Sequence, residues 1–178
     1  MAIVYIGLGS NIGDRTRHVV NACTTLSQHP AITLQAVSSL YRTAPVGMTQ
    51  QDWFLNAVAR LQTTLTPPSL LSVTQATERR IGRTPTFHWG PRVIDIDILL
   101  YDALCIQTPF LTLPHAALEA RLFALVPLHE LAPQLKLPSG VDIQALLATL
   151  GQHDSVRRLG PFPALHASPQ ITAPGELS

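Results

Sequence analysis

Apolar residues form short runs or alternate with polar ones in four separate stretches of the chain, which predicts β-strands there. The first stretch is almost continuously apolar, as in a buried strand, whereas the third alternates regularly. One loop joins the second and third stretches, so we expect them to pair antiparallel. The predicted strands are Ala2–Leu8, Ile32–Thr43, Phe54–Leu65 and Gly90–Tyr101, with a brief strand at Leu104–Ile106.

Four other stretches carry apolar residues at helical spacing. Thr66, which precedes two prolines, and Asp142 are favourable N-cap residues. Gly82 is expected to end the second helix, and Pro127 to kink or restart the third. Strands and helices that alternate with short antiparallel connections indicate an α+β sandwich and not a doubly wound parallel sheet. The predicted helices are Asp14–Ser27, Thr66–Ile81, Leu122–Leu131 and Ile143–Leu150.

Length and composition indicate one folded domain with a C-terminal tail. A chain of 178 residues fits a single domain, and 46% hydrophobic residues exclude a generically disordered chain. We place the domain at 1–160 and expect a loosely held tail, rich in Pro, Ala and Ser, at 161–178. Cys23 and Cys105 lie far apart in sequence, so we expect two ordinary buried thiols and neither a disulfide framework nor a zinc site.

The charge balance and the lack of targeting signals limit the possible partners. A formal net charge of +1 gives no electrostatic reason to expect binding to nucleic acid or a membrane. The N-terminus has no basic region of the signal-peptide kind, and no apolar run reaches about 18 residues. We therefore expect a cytoplasmic protein.

The basic residues are almost all arginine: Lys136 is the one lysine among 12. Arginine offers a planar, permanently charged fork that suits phosphate groups. A Walker-type phosphate loop would need a Gly-Lys-Ser/Thr ending, which the sequence lacks. The spacing of Gly7, Gly9 and Gly13 also differs from that of a dinucleotide-binding loop, and it favours a simple strand-to-helix turn.

The predicted strand Gly90–Tyr101 carries two carboxylates on one face. Alternate strand residues point the same way, so Asp95 and Asp97 share a face, with Cα atoms about 6.6 Å apart at a rise of about 3.3 Å per residue. Magnesium prefers oxygen ligands, usually one or two carboxylates together with phosphates and water. The pair therefore predicts a divalent cation site, with Arg92 just upstream for a phosphate. A strand with one solvated face remains the alternative interpretation.

Several motifs, taken together and in order, resemble the family of 6-hydroxymethyl-7,8-dihydropterin pyrophosphokinases, enzymes of folate biosynthesis. The resemblance covers about residues 3–133, and agreement among several independent motifs is far more specific than any one of them. The matching pieces are Tyr5–Asn11, Tyr41–Pro45, Phe54–Asn56, Gln75–Arg83, Trp89–Ile98, Pro114–His115, Arg121–Phe123 and Pro127–Pro133.

This resemblance implies a ferredoxin-like α+β fold, in which helices sandwich an antiparallel sheet. The implied reaction is the Mg²⁺-dependent transfer of pyrophosphate from ATP, the co-substrate, to the hydroxymethyl group of the pterin, with release of AMP. By resemblance, Asp95 and Asp97 hold two Mg²⁺ ions, while Arg83 and Arg92 bring positive charge to the phosphates and complete the catalytic set. We expect a monomer whose partners are these two small molecules, with neither nucleic acid nor membrane.

The resemblance also implies two sets of binding residues. Two aromatic rings would stack on the flat heterocycle, and an amide would contact its edge; Trp89 would belong to a mobile loop that closes over the site. The ATP-binding set is Gln75, Glu78, Arg83, Trp89, Arg92, Ile98, Thr112, His115 and Arg121. The pterin-binding set is Thr43, Pro45, Val46, Phe54, Asn56, Asp95 and Phe123.

Each of these residues also has a purely structural interpretation. Arg83 could be a cation at a helix C-terminus, Arg92 a member of a surface ion pair, and His115 a surface histidine. The phenylalanines would otherwise be taken as core residues. Asn56 is harder to explain in this way, because asparagine is depleted in strands.

The sequence departs from the family where basic residues are frequent. The segment Thr84–His88 lacks a basic residue near Pro85, His88 replaces a common arginine, and Ala116 replaces a larger residue. These departures leave two other hypotheses open: a different metal-dependent nucleotidyl or phosphoryl transferase, and a non-catalytic protein that binds pterin or nucleotide. The aromatic and amide residues favour a flat heterocyclic acceptor over the first.

Overall fold

A computed structural model describes residues 1–45, 50–84, 90–150 and 155–165. Six strands of the described part form one sheet in the order β5-β1-β4-β3-β8, with β2 also paired to β4, and every pairing is antiparallel. The elements are β1 (Ala2–Ser10), α1 (Arg15–Ser27), β2 (Ile32–Val37), β3 (Leu40–Thr43), β4 (Phe54–Thr63), α2 (Pro67–Ile81), β5 (Asp95–Tyr101), β6 (Ile106–Gln107), β7 (Thr112–Leu113), α3 (Leu122–Leu131), α4 (Ile143–Leu150) and β8 (Val156–Gly160).

Helices cover both faces of the sheet. On one face, α1 and α2 pack over apolar residues of β1, β4 and β5, such as Ile6, Leu61 and Ile98. On the other face, α3 and α4 pack over a second cluster that includes Tyr5 and Val58. A mixed fold with an antiparallel sheet is therefore confirmed. Among the described residues, no helix has the length and apolar character needed to cross a bilayer.

Capping residues in the sequence predicted where the first two helices begin. Asp14 caps α1 by accepting from Arg17 N at 3.0 Å, and Thr66 caps α2 by accepting from Ser69 N. Gly82 ends α2 with a φ of 112°, a left-handed conformation that favours glycine. The helix α3 runs without a break through Pro127, and Leu125 and Leu128 on the same helix are buried in the second cluster.

The predicted long strand over 32–43 is wrong, because the structure has two strands separated by two buried serines. Ser38 Oγ accepts from Val58 N at 3.0 Å, so a side chain replaces a backbone acceptor at this point of the ladder. Val37 pairs with Ala59 and Tyr41 pairs with Asn56, so the chain has one more residue between these pairs than β4 has. This β-bulge divides β2 from β3.

The strand predicted at Gly90–Tyr101 begins later than expected. β5 starts at Asp95, because Asn11 holds the preceding segment: its Oδ1 accepts from Arg92 N at 2.7 Å, and its N donates to Arg92 O at 3.1 Å. The brief strand predicted at 104–106 lies at Ile106–Gln107. Cys23 is buried as predicted, but Cys105 is exposed, which corrects the expectation of two buried thiols.

A strand that the sequence did not predict lies near the C-terminus. β8 pairs with β3 and extends the sheet. Phe162 and Leu165, in the predicted tail, pack against the core beneath α1 and α2. The first residues after 160 are therefore held to the domain; the boundary between domain and tail stays a prediction.

Candidate active site

A cavity of about 240 Å³ lies on the sheet face that α3 partly covers. One end presents carboxylates and arginines, and the other presents aromatic rings and an amide. Its lining residues include Gly7, Gly9, Thr43, Ala44, Gln51, Phe54, Asn56, Gly90, Arg92, Asp95, Asp97, Leu99, His115, Arg121, Phe123 and Ala124.

The two aspartates of β5 share the face predicted from strand geometry. Their side chains line the cavity, whereas Ile96 and Ile98 point into the core on the opposite face. Gly7 and Gly9 lie directly opposite the aspartates on β1, so no side chain fills the space between the strands. The sequence thus places two carboxylates beside an open floor.

Asp95 has two arginine partners. Arg83 Nη1 lies 2.8 Å from Asp95 Oδ1, and Arg92 Nη1 contacts Asp95 Oδ2. Both arginine side chains remain about 30% exposed, at 31% for Arg83 and 30% for Arg92, so each keeps donors available to a ligand.

Glu78 is a brace beneath this cluster. Its side chain is 7% exposed, and its Oε1 accepts from Ile96 N at 2.7 Å while also contacting Arg83 Nη1. Burial raises the pKa of the Glu78 carboxyl, although the hydrogen bond from Ile96 and the charge of Arg83 oppose the shift. Glu78 therefore joins α2 to β5 and orients Arg83.

Asp97 faces a second cationic group. Arg121 Nη1 lies 3.4 Å and His115 Nε2 3.9 Å from Asp97 Oδ2. Burial and then the charge of Asp95 raise the pKa of Asp97, but solvent screens part of this effect because 39% of the side chain is exposed. Burial, with the charge of Arg121, lowers the pKa of His115 against the pull of Asp97.

The other end of the cavity suits a flat, polar-edged ring. Asn56 Nδ2 donates to Thr43 Oγ1 at 2.6 Å, which fixes the amide plane, and both residues are buried. Phe54 and Phe123 line the same space, and the Arg121 guanidinium carbon lies 5.5 Å from the Phe123 ring centre. Such rings can stack on a heterocycle while the amide recognises its edge.

The structure brings most predicted site residues together, but not all. In the ATP-binding set, Gln75 is exposed on α2, Ile98 packs in the core, and Glu78, Arg83 and Thr112 lie outside the cavity lining. Arg83 nevertheless reaches the lining residue Asp95. Pro45 is half-buried next to the lining residue Ala44. The positions predicted for Val46 and Trp89 fall outside the described residues.

Sequence reasoning missed the residues that shape the cavity without reacting. A Cβ at Gly9 would lie 2.7 Å from Asn56 Oδ1, so only glycine leaves room for that amide. Asn11 Nδ2 donates to Gln51 Oε1 at 3.0 Å, while its Oδ1 and N hold Arg92, so this residue joins the two rims of the cavity. The motif Tyr5–Asn11 contains both residues, but a local motif carries no signal for partners 40 or more positions away.

The two carboxylates of the cavity suit a magnesium ion that a substrate also helps to bind. No group of three or more His, Cys, Asp or Glu side chains in the described ranges is placed to hold a metal ion. Magnesium, however, is commonly held by one or two carboxylates together with substrate phosphates and water. Asp95 and Asp97, which both face the cavity, fit an ion held jointly with a substrate.

Comparison with known proteins agrees with this geometry. The profile of the family described as 7,8-dihydro-6-hydroxymethylpterin-pyrophosphokinase (HPPK) matches residues 5–133. A protein of Methylorubrum extorquens named 2-amino-4-hydroxy-6-hydroxymethyldihydropteridine pyrophosphokinase is 45% identical over 150 residues, which cover 84% of this chain and 94% of the relative. The protein of the same name from Bacillus subtilis is 46% identical over 134 residues, which cover 75% of this chain and 80% of the relative.

A solved structure shares the fold at low identity. The crystal structure of Plasmodium falciparum HPPK-DHPS superposes with a TM-score of 0.69 at 15% identity. The match covers 88% of this chain and 48% of that one, so the present chain spans about half of that longer protein.

Proposed function

Because the chain belongs to the 7,8-dihydro-6-hydroxymethylpterin-pyrophosphokinase family, we propose that it transfers the pyrophosphoryl group of ATP to the hydroxymethyl group of 6-hydroxymethyl-7,8-dihydropterin. The chain is an enzyme of the diphosphotransferase class, and its family acts in folate biosynthesis. One observation carries the proposal: a single cavity joins an aromatic and amide end to an acidic and arginine-rich end. The acceptor and the polyphosphate can therefore meet in one space.

The pterin occupies the end formed by Phe54, Phe123, Thr43 and Asn56. The rings hold the heterocycle by its faces, and the buried Thr43–Asn56 pair discriminates its edge. A buried amide rejects a ring with the wrong edge strongly, because its own donors and acceptors would then remain unpaired.

The triphosphate lies along Arg83, Arg92, Arg121 and His115. Bound Mg²⁺, which we propose as two ions held by Asp95, Asp97 and the phosphates, supplies charge neutralisation and in-line orientation of the transferring group. The arginines turn from the aspartates to the phosphate oxygens, for which their forked donors are suited. His115, which lines the cavity beside Asp97, supplies a further contact to a phosphate.

The step forms one bond to phosphorus and breaks one. The hydroxymethyl oxygen bonds to the β-phosphorus of ATP and gives up its proton to water or to the leaving phosphate, and the bond between that phosphorus and the bridging oxygen to the α-phosphate breaks. AMP leaves with the bonding electrons. Holding the two reactants in one cavity accelerates such a step by removing most of the cost of bringing them together.

We propose that the chain has a ferredoxin-like fold. The element order β1-α1-β2/β3-β4-α2-β5 and the sheet order β5-β1-β4-β2/β3 support it, since both follow the β-α-β-β-α-β plan. α3 and α4 then form an addition on the second face. The monomeric state and the cytoplasmic location stay predictions.

AMP release tests the proposal. The enzyme is incubated with ATP and Mg²⁺, with and without 6-hydroxymethyl-7,8-dihydropterin, and the nucleotides are separated. We expect AMP that depends on the pterin. ADP would indicate simple phosphoryl transfer by a different class of kinase, and binding of both ligands without turnover would indicate a non-catalytic binding protein.

A further inference from the structure

Glu130, on α3, lies outside the cavity lining, yet it binds the strand that forms one cavity wall. Ser39 N donates to Glu130 Oε1 at 3.0 Å and to Oε2 at 3.2 Å, and Ser39 Oγ donates to Oε1 at 2.8 Å. Tyr41 Oη donates to Oε2 at 2.6 Å. One carboxylate thus fixes the backbone and two side chains at the start of β3.

The place of this contact is significant, because it follows the bulge that separates β2 from β3. A slip of one residue in a strand turns every side chain to the opposite face. β3 has only four residues, so few ladder bonds set its register. Glu130 adds hydrogen bonds at the start of β3, where the register of the strand is established.

The register of β3 decides where the pterin-side polar groups point. Tyr41 and Thr43 are two residues apart and share the face that α3 covers, and Tyr41 lies opposite Asn56 on β4. Thr43 in turn accepts the hydrogen bond from Asn56. Movement of Tyr41 would therefore move both members of the Thr43–Asn56 pair.

The unpredicted strand β8, which pairs with the other edge of β3, also helps to hold β3 in position. Arg158 Nε donates to Ser39 Oγ at 2.9 Å, and Ala44 N, next to Thr43, donates to Ser155 O at 2.9 Å. Burial alone would raise the pKa of Glu130, but the hydrogen bonds from Tyr41 and Ser39 and the charge of Arg158 outweigh it, and the pKa is lowered. The carboxylate is thus held in its charged form.

We propose that Glu130 is a positioning residue for the pterin end of the cavity, and that it acts through Tyr41 and Ser39 on the Thr43–Asn56 pair. This inference rests on the proposed function for its kinetic consequence but not for its structural one. It predicts an effect on the pterin that is separate from any effect on ATP.

Glu130→Ala and Tyr41→Phe test the proposal, with Tyr101→Phe as the matched control. Tyr101 Oη also makes one strong hydrogen bond, to Leu65 O at 2.5 Å, but at the end of β5 that is remote from the cavity. The first two variants should raise KM for the pterin about three- to tenfold and change KM for ATP by less than about twofold. Tyr101→Phe should leave both constants unchanged.

A nuclear magnetic resonance signal tests the structural step directly. The side-chain amide resonances of Asn56 should shift in Glu130→Ala and in Tyr41→Phe, and stay in place in Tyr101→Phe. Glu130→Gln keeps an oxygen for Ser39 and should restore part of the pterin KM. This signal does not depend on turnover, so it remains decisive even if the wild-type chain releases no AMP and the proposed function fails.

Two results would overturn the inference. One is an unchanged Asn56 resonance with an unchanged pterin KM in Glu130→Ala. The other is an equal rise of both KM values, which is the mark of a generally loosened fold. If Glu130→Ala does not fold, Tyr41→Phe, which lacks a single hydroxyl group, gives the decision.

Discussion

At the scale of single residues, the two aspartates of β5 differ in how closely positively charged side chains pair with them. Asp95 is already paired with two arginines, whereas Asp97 is more exposed and has only longer contacts, at 3.4 and 3.9 Å. Repulsion between the two carboxylates is therefore relieved least at Asp97. That imbalance is what a cation brought in with a polyphosphate would correct.

Replacing Asp97 tests the metal assignment. Asp97→Ala should lower kcat/KM roughly a thousandfold, because it removes a ligand for the proposed ions, which are worth several kcal/mol in charge stabilisation. Its effect on the free energy of unfolding should stay within about 1 kcal/mol, since the lost ion pairs are partly solvated. Kinetics and urea unfolding measure the two effects. Glu119→Ala, which removes an exposed carboxylate, is the control; full activity of Asp97→Ala would refute the assignment.

Gly9 should be intolerant of any side chain. The Cβ of Gly9→Ala would lie 2.7 Å from Asn56 Oδ1, so the amide must move away from the pterin. We expect pterin binding to weaken by about tenfold or more, as overpacking of about 1–3 kcal/mol implies. In Gly7→Ala the new Cβ meets the Leu99 side chain at 3.4 Å, which can yield, so the loss should be smaller. Titration of the pterin compares the two variants, and equal affinities would contradict this account.

At the scale of elements, the end of α2 determines where Arg83 points. Gly82 N donates to Arg79 O and Arg83 N donates to Glu78 O, the hydrogen bonds of a Schellman cap around a left-handed glycine. The chain therefore turns sharply at Gly82 and directs Arg83 back towards Asp95.

Gly82→Ala should destabilise the protein by about 1 kcal/mol, because alanine is strained at a φ of 112°. Arg83 should also be displaced, with a fall in kcat. Gly160→Ala is the matched control, since its φ is ordinary and its Cβ would meet open space. Urea unfolding of the two variants distinguishes them; equal stabilities would show that the cap does not contribute as described.

The sequence was most informative where the signal is local. Caps and helical spacing predicted the four α-helices of the described residues, and alternation placed Asp95 and Asp97 on one face. The break at Ser38–Ser39 escaped prediction, because it depends on hydrogen bonds to Val58 and Glu130 that lie 20 and 91 residues away. β8 was missed for the same reason, since its partner strand β3 is more than 100 residues upstream.

At the scale of the whole molecule, the Glu130 network should make stability depend on pH. The folded-state pKa of Glu130 is lowered below its ordinary value of 4.5, so its contribution is present above that value and is lost as the pH falls through the folded pKa. The difference in free energy of unfolding between wild type and Glu130→Gln should therefore shrink as the pH falls below about 4.5. Urea unfolding from pH 7 to pH 3 measures it, and a constant difference would contradict the assignment.

The comparison with Glu130→Gln is needed because other groups act in the opposite direction. The pKa values of Glu78 and Asp97 are raised, chiefly by burial, so protonation of these two carboxyls favours the folded state as the pH falls. The wild-type curve alone would mix the two trends. The difference between the two proteins isolates Glu130.

The most direct test of the central claim is the phosphorus magnetic resonance spectrum of a completed reaction. With ATP, Mg²⁺ and 6-hydroxymethyl-7,8-dihydropterin, we expect equal amounts of AMP and a pterin diphosphate, the latter seen as two coupled phosphorus signals. That result would show that one cavity delivers the acceptor hydroxyl to the β-phosphorus. Formation of ADP with a pterin monophosphate, or of free pyrophosphate without a pterin product, would contradict it.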